Sequence, residues 1–192
     1  MREQEIENEF SLVRQAQAGD EKAFEQLVKR HDRHVLNIAL GMTGQLVDAQ
    51  DIYQESFLRA FSKLQTFSFQ SSFKTWLLRI VVNQSINYRR KKKLRTFLSI
   101  DSSDESTLAL PELTDHSDPT RKLTADECRS LIGKALKKLS AKERAVFTLK
   151  HEQDYKIREI AVILDCAEGT VKNMLFRAVN KLQKALRNYI QE

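Results

Sequence analysis

Apolar residues recur at three- and four-residue intervals along most of the chain, the spacing of helices that bury one face. Leu12, Val13 and Ala16 lead to Gly19-Asp20. Asp20 stands where a side chain caps the helix that follows, through Ala23, Phe24, Leu27 and Val28. The same spacing continues through Val35, Ile38, Ala39 and Met42 and stops at Thr43-Gly44. Leu46-Val47-Asp48 opens a helix holding Ile52, Phe57, Leu58, Ala60 and Phe61, and after a break at 66–72 another runs from Phe73 to Arg90. Later helices are marked by Leu131, Ala135, Leu136 and Leu139, then by Ala145, Val146, Phe147 and Leu149. Two more follow, with Ile157, Ile160, Ala161 and Leu164, then Val171, Leu175, Ala178, Leu182 and Leu186. No segment alternates as a useful strand and no repeat is evident, so the expected fold is all-α.

The sharpest local pattern lies at 156–178. Lys156 to Leu164 reads as a short helix, Asp165-Cys166-Ala167 as a turn, and Glu168-Gly169-Thr170-Val171 as the start of a longer helix. That is a helix-turn-helix. At 100° per residue, Val171, Met174, Leu175, Ala178, Leu182 and Ala185 share a core face. Gly169, Lys172, Asn173, Phe176, Asn180 and, at the edge, Arg177 lie around the other side. Cations for phosphates, an amide for base edges and an aromatic without a core to enter suit DNA. An ordinary helical hairpin with a charged outer face fits the same spacing.

A second pattern interleaves aromatics with small polar residues in Thr66-Phe67-Ser68-Phe69-Gln70-Ser71-Ser72-Phe73. The helix beyond it has two apolar faces, one of Phe73, Trp76, Leu77 and Ile80 and one of Leu78, Val82 and Ile86. Between them Thr75, Arg79 and Asn83 form one narrow polar strip. Rings that stack on bases beside cations that meet phosphates suit a single strand. Trp76 on its own also fits a core position, and the Arg89 to Lys93 run also fits a solvated helix end. On the preceding helix Asp48, Asp51 and Glu55 make an acidic stripe with Gln54 beside it. Acids are repelled by DNA, so this face suits a protein partner, or plain solvent.

The chain has 192 residues, 41% hydrophobic and 30% charged, with a net charge of +6. That is enough apolar material for packed cores. Five Gly and two Pro are too few for a many-stranded sandwich or barrel. The charge is uneven. Residues 1–93 hold 15 basic and 11 acidic side chains, 94–123 hold 3 and 6, and 124–192 hold 14 and 9. Both prolines, Pro111 and Pro119, fall in the acidic stretch, which reads as a linker joining two small helical domains. Two cysteines make neither a disulfide framework nor a Cys-rich zinc site. No apolar run reaches the roughly 20 residues of a membrane span, and a cytoplasmic location is expected. No phosphate-binding Gly loop or nucleophile elbow is present, and the His31/His34 pair is expected to be solvated. Neither catalysis nor a cofactor or metal is expected.

In this order, several stretches resemble an extracytoplasmic-function (group 4) RNA polymerase sigma factor of the sigma-70 family. They are Gly19-Asp20-Glu21-Lys22-Ala23-Phe24, Asp48 to Ala60, Ser72 to Asn83, Leu139-Ser140-Ala141-Lys142-Glu143-Arg144 and Gly169-Thr170-Val171-Lys172. The resemblance covers nearly all of the chain outside the linker. It implies a region 2 domain at 1–93, a linker at 94–123 and a region 4 domain at 124–192. It also implies that Asp48, Asp51, Gln54, Glu55 and Phe57 dock on the clamp helices of the polymerase β′ subunit, with region 4 meeting the β flap. Phe67, Phe69, Gln70, Ser71, Lys74, Thr75, Trp76, Arg79 and Asn83 would recognise and melt the −10 element. Gly169, Thr170, Lys172, Asn173, Phe176 and Arg177 would read the −35 element. The linker would thread toward the RNA exit path. Partners are then core RNA polymerase, promoter DNA and an anti-sigma factor, membrane-anchored in many members. Ser68-Phe69-Gln70-Ser71, Glu168 and Asn173 depart from the usual family residues. The rival reading is a stand-alone helix-turn-helix regulator that binds duplex DNA without polymerase.

Overall fold

The computed structural model describes residues 2–100 and 125–190, and among them every regular element is helical. Four helices form the N-terminal module: α1 (Arg2–Gln17), α2 (Glu21–Thr43), α3 (Leu46–Lys63) and α4 (Phe73–Ile100). The C-terminal module holds α5 (Ala125–Lys137), α6 (Ala141–Phe147), α7 (Ile157–Leu164) and α8 (Glu168–Ile190), with a π-helical turn at Thr148–Glu152. Asp20 caps α2 as expected: its carboxylate accepts from Lys22 N at 2.9 Å and Ala23 N at 3.2 Å. Gly44 ends α2 at φ 74°, a left-handed conformation glycine adopts without strain. Ser140 and Glu143 form a reciprocal capping box on α6. Helix α4 outruns its expected end at Arg90, because Lys91 to Arg95 are good helix formers without a breaker among them. It thus takes in the first seven residues of the expected linker. The rest of that stretch, with both prolines, lies outside the described residues.

The two modules pack against each other. One apolar cluster includes Leu27, Val35, Phe73 and Leu77 of the first module and Val146, Leu149, Ile160 and Ile163 of the second. The polar chemistry of the seam follows from the C-terminus of α2. A helix end leaves carbonyls without partners and carries partial negative charge, and α2 has no basic residue in its last turn. Cations come from elsewhere. Arg144 of α6 donates to Gly41 O, and Arg89 of α4 donates to Met42 O at 2.9 Å and to Leu139 O at 3.1 Å. Gly41 faces α6 and the π turn so closely that a β-carbon there would lie 2.6 Å from Thr148 Cγ2.

Candidate nucleic-acid interface

Helix α8 sorts its residues as the periodicity predicts. Val171, Ala178 and Leu182 are buried, while Gly169, Thr170, Lys172, Asn173, Phe176, Arg177 and Asn180 are exposed. Phe176 is 67% exposed with no core to enter. Asp165 makes the turn at φ 51°, and Ala161 is buried where α7 and α8 meet. The turn residue Cys166 is half-buried against the core. The exposed face carries two cations, an amide and a ring, groups of the kind that suit a groove of DNA.

The loop before α4 is fixed from α1. Gln17 Nε2 donates to Leu64 O at 2.9 Å and Phe67 O at 3.0 Å, and Gln65 Nε2 donates to Gln17 O at 2.6 Å. Phe67, expected to face a ligand, is 4% exposed. Its ring packs on Phe69, Phe73 and Trp76 at centroid distances of 4.9, 6.0 and 5.3 Å. It therefore positions the loop from beneath. Phe69 sits at φ 59°, a strained region for a bulky residue, held by the Phe10 ring and by the Arg14 guanidinium 5.4 Å from its centroid. Gln70 is exposed and Ser71 half-buried. Thr75 is fixed by Ser72, whose Oγ lies 2.9 Å from Thr75 Oγ1 and accepts from Thr75 N at 3.1 Å.

Trp76, Arg79 and Asn83 converge on an open groove of about 330 Å³ along α4. Thr66 of the aromatic-rich loop shares it with Arg59 and Lys63, which the sequence reading did not single out. Their signal was the i, i+4 spacing of Arg59 and Lys63 on the edge of α3 that faces α4. Two expected DNA residues meet the other module instead. Arg79 Nε donates to Val162 O of α7 at 2.9 Å, and Lys74 Nζ lies 5.5 Å from the centroid of the Tyr155 ring.

The acidic stripe on α3, expected to dock a partner, divides. Asp51, Gln54 and Glu55 are exposed, and Glu55 pairs with Arg59 at 2.7 Å. Asp48 is half-buried and pairs with Lys92 at 2.7 Å; its carboxyl is lowered although burial alone would raise it, because Lys92 and Tyr88 hydrogen-bond to it. Phe57, expected on the partner face, is 7% exposed and belongs to the core. The most exposed apolar groups of α3 are Val47 and Leu58, 71% and 66% exposed, with Leu46 and Phe61 also exposed. Val47, Asp51, Gln54 and Leu58 recur at four, three and four residues, so one helix face is polar in its middle and apolar at both ends.

The histidines differ from the expected solvated pair. His31 is buried with Nε2 2.8 Å from Glu9 Oε1. His34 Nε2 hydrogen-bonds the Tyr155 hydroxyl across the seam. Burial, helped by Lys74 and His31, lowers the His34 pKa to about 4, and burial raises that of Tyr155. Arg144 is 5% exposed and pairs with Glu152 at 3.3 Å. Among the described residues no group of three or more His, Cys, Asp or Glu could hold a metal ion. No described helix is long and apolar enough to cross a membrane.

Two family models match the chain, "Sigma-70 region 2" over residues 27–95 and "Sigma-70, region 4" over residues 129–182. The "ECF RNA polymerase sigma-E factor" of Escherichia coli K12 is 34% identical over 185 residues, covering 92% of this chain and 95% of its own. The "RNA polymerase sigma-H factor" of Pseudomonas aeruginosa is 29% identical over 188 residues, 97% of each chain. Among solved structures, CnrH bound to the cytosolic domain of CnrY is 25% identical with a TM-score of 0.63, covering 94% of this chain and 98% of that one. The sigma factor RpoE of Bartonella quintana, bound to the anti-sigma factor NepR, is 26% identical with a TM-score of 0.61, covering 86% and 98%.

Proposed function

The chain belongs to the sigma-70 family, in its extracytoplasmic-function branch, and is an alternative sigma factor that directs transcription with core RNA polymerase; we propose how its surfaces divide that work. The match to both sigma regions sets aside a stand-alone regulator. Region 2 extends through α4, region 4 begins near residue 124, and the acidic stretch between them is the tether. The exposed face of α3, with Asp51, Gln54, Glu55, Val47 and Leu58, docks on the β′ clamp helices. Asp48 joins it at the edge. The groove of Trp76, Arg79 and Asn83, with the Phe69–Ser71 loop, Lys74 and Thr75, captures an unpaired strand at the −10 element. Phe57 and Phe67 support these surfaces from within. Helix α8 reads the −35 element, with Lys172 and Arg177 on phosphate or guanine, Asn173 on a base edge and Phe176 in apolar contact. Gly169 and Thr170 let the backbone approach phosphate. The protein works in the cytoplasm without chemistry of its own and is bound by an anti-sigma factor, as RpoE of Bartonella quintana is bound by NepR.

The observation that carries this reading is the exposed, unpartnered Lys172–Arg177 face on the second helix of the pair. The closed packing adds a requirement. Elements named for positions 25 base pairs apart are separated by roughly 85 Å at 3.4 Å per pair. Modules joined by the 2.9 Å contact of Arg79 with Val162 O must part to reach both. The test separates the two surfaces. Asp51→Arg should weaken binding to core polymerase by tenfold or more while leaving the fold intact. Arg177→Ala should weaken promoter binding by the assembled holoenzyme and leave core binding unchanged. Unaltered core affinity in the first variant, or lost core affinity in the second, would refute the division.

A further inference from the structure

A cleft of about 850 Å³ lies between the modules, on the side where α4, α5 and α6 come together. Its walls are cationic on both sides. Arg89, Arg90, Lys92 and Lys93 line it from α4, and Lys137, Lys138, Lys142 and Lys181 from the C-terminal module. Lys92 is matched by Asp48 and Lys181 by Glu143, each at 2.7 Å, and Lys93 is partnered as well. Arg90, Lys137, Lys138 and Lys142 enter no ion pair among the described residues, and Arg89 bonds only to carbonyls, with its Nε buried and unpartnered. A folded chain that gathers like charges around a cavity raises its own energy unless an anion shares the space.

We propose that this cleft is a binding site for a short chain of condensed phosphates, a triphosphate or longer, bridging the two modules. Its volume is that of a small-molecule site and too small for a duplex. A single phosphate reaches two or three cations, whereas a chain of three reaches both walls. Lysine and arginine are the side chains that bind such oxygens, as point charges and as planar forks. A ligand held by both walls binds the closed arrangement in preference to the open one. It stabilises closure by mass action, and opening weakens it by the same factor. The site is thus an inhibitory one, opposing the separation that promoter engagement requires. The phosphate chain is free inorganic tripolyphosphate or the tail of a nucleoside triphosphate, and the two are told apart below.

The test is calorimetric titration of the full chain with inorganic tripolyphosphate, orthophosphate and ATP. Saturable one-to-one binding of tripolyphosphate, at least tenfold tighter than orthophosphate, is expected. Lys138→Ala with Lys142→Ala should cut the affinity tenfold or more, and so should Arg90→Ala on the opposite wall. The charge-matched pair Lys22→Ala with Lys29→Ala, both on exposed positions of α2, should leave it unchanged. ATP binding more tightly than tripolyphosphate identifies the nucleotide as the source, and equal or weaker binding identifies the inorganic chain. Absent saturation, or an equal loss in the charge-matched control, overturns the site. A loss confined to one wall overturns the bridging.

Discussion

Gly41→Ala is a wedge placed where α2 of the first module closely approaches the π turn of the second. The added β-carbon would lie 2.2 Å from Glu152 Oε2 and 2.6 Å from Thr148 Cγ2. Ordinary carbon contacts need about 3.5–4.0 Å, so the threonine methyl must yield by about 1 Å. Glu152 can swing aside, but that loosens its pairing with the buried Arg144. Thr148 is buried in the π turn and has no such freedom. Overpacking of this kind costs about 1–3 kcal/mol, which shifts the ratio of open to closed chains by roughly 5- to 150-fold. Alanine also favours the interior of α2 by about 0.5–1 kcal/mol, but that gain is common to both arrangements and cancels in the ratio. Small-angle scattering reads the outcome. A compact chain of 192 residues has a radius of gyration of about 16 Å, and two half-length lobes with centres about 40 Å apart give roughly 24 Å. The variant should move toward the larger value, with tighter promoter binding by the holoenzyme. Gly133→Ala, where a β-carbon meets nothing within 4 Å, should do neither. An unchanged radius together with a lowered melting temperature would refute the wedge, because the clash would then be absorbed inside the modules.

The seam should also respond to pH. His34 is held neutral in the closed arrangement, so its contribution to closure is fully present above the ordinary imidazole pKa of 6.5 and is lost as pH falls from there toward about 4. Burial first, then the flanking cation Lys74 and the neighbouring His31, oppose the added proton. Scattering across that window should show expansion that His34→Gln diminishes, and an equal expansion in the variant would exclude His34 as the sensor. Asp20→Ala removes the cap of α2 and should cost about 1 kcal/mol, lowering the melting temperature by roughly 2–4 °C; an unchanged transition would show that the cap contributes nothing.

What the sequence made legible was local. The face of α8, the turn at Asp165 to Ala167 and the cap at Asp20 each depend on residues within a few positions of one another. Phe57 and Phe67 misled for a related reason. An aromatic in a polar loop or beside an acidic stripe looks outward when its neighbours are read alone. Phe67 turns in because Phe73 and Trp76 come up beneath it, and Phe57 because the core of the bundle needs the ring. The seam was barely legible. Arg144 and Gly41 stand 103 residues apart, and neither carries a periodic signal. Two hints were nonetheless present: a glycine inside a strongly periodic helix, and an arginine beside an apolar run.

The apolar cluster that Val146, Leu149, Ile160 and Ile163 share with the first module gives closure a thermal character. Parting the modules wets that surface, and wetting apolar surface raises the heat capacity. The free energy of opening is then curved in temperature, greatest at an intermediate value and smaller on both sides. Cooling and warming away from that optimum both weaken the seam, whose hold is strongest at one temperature.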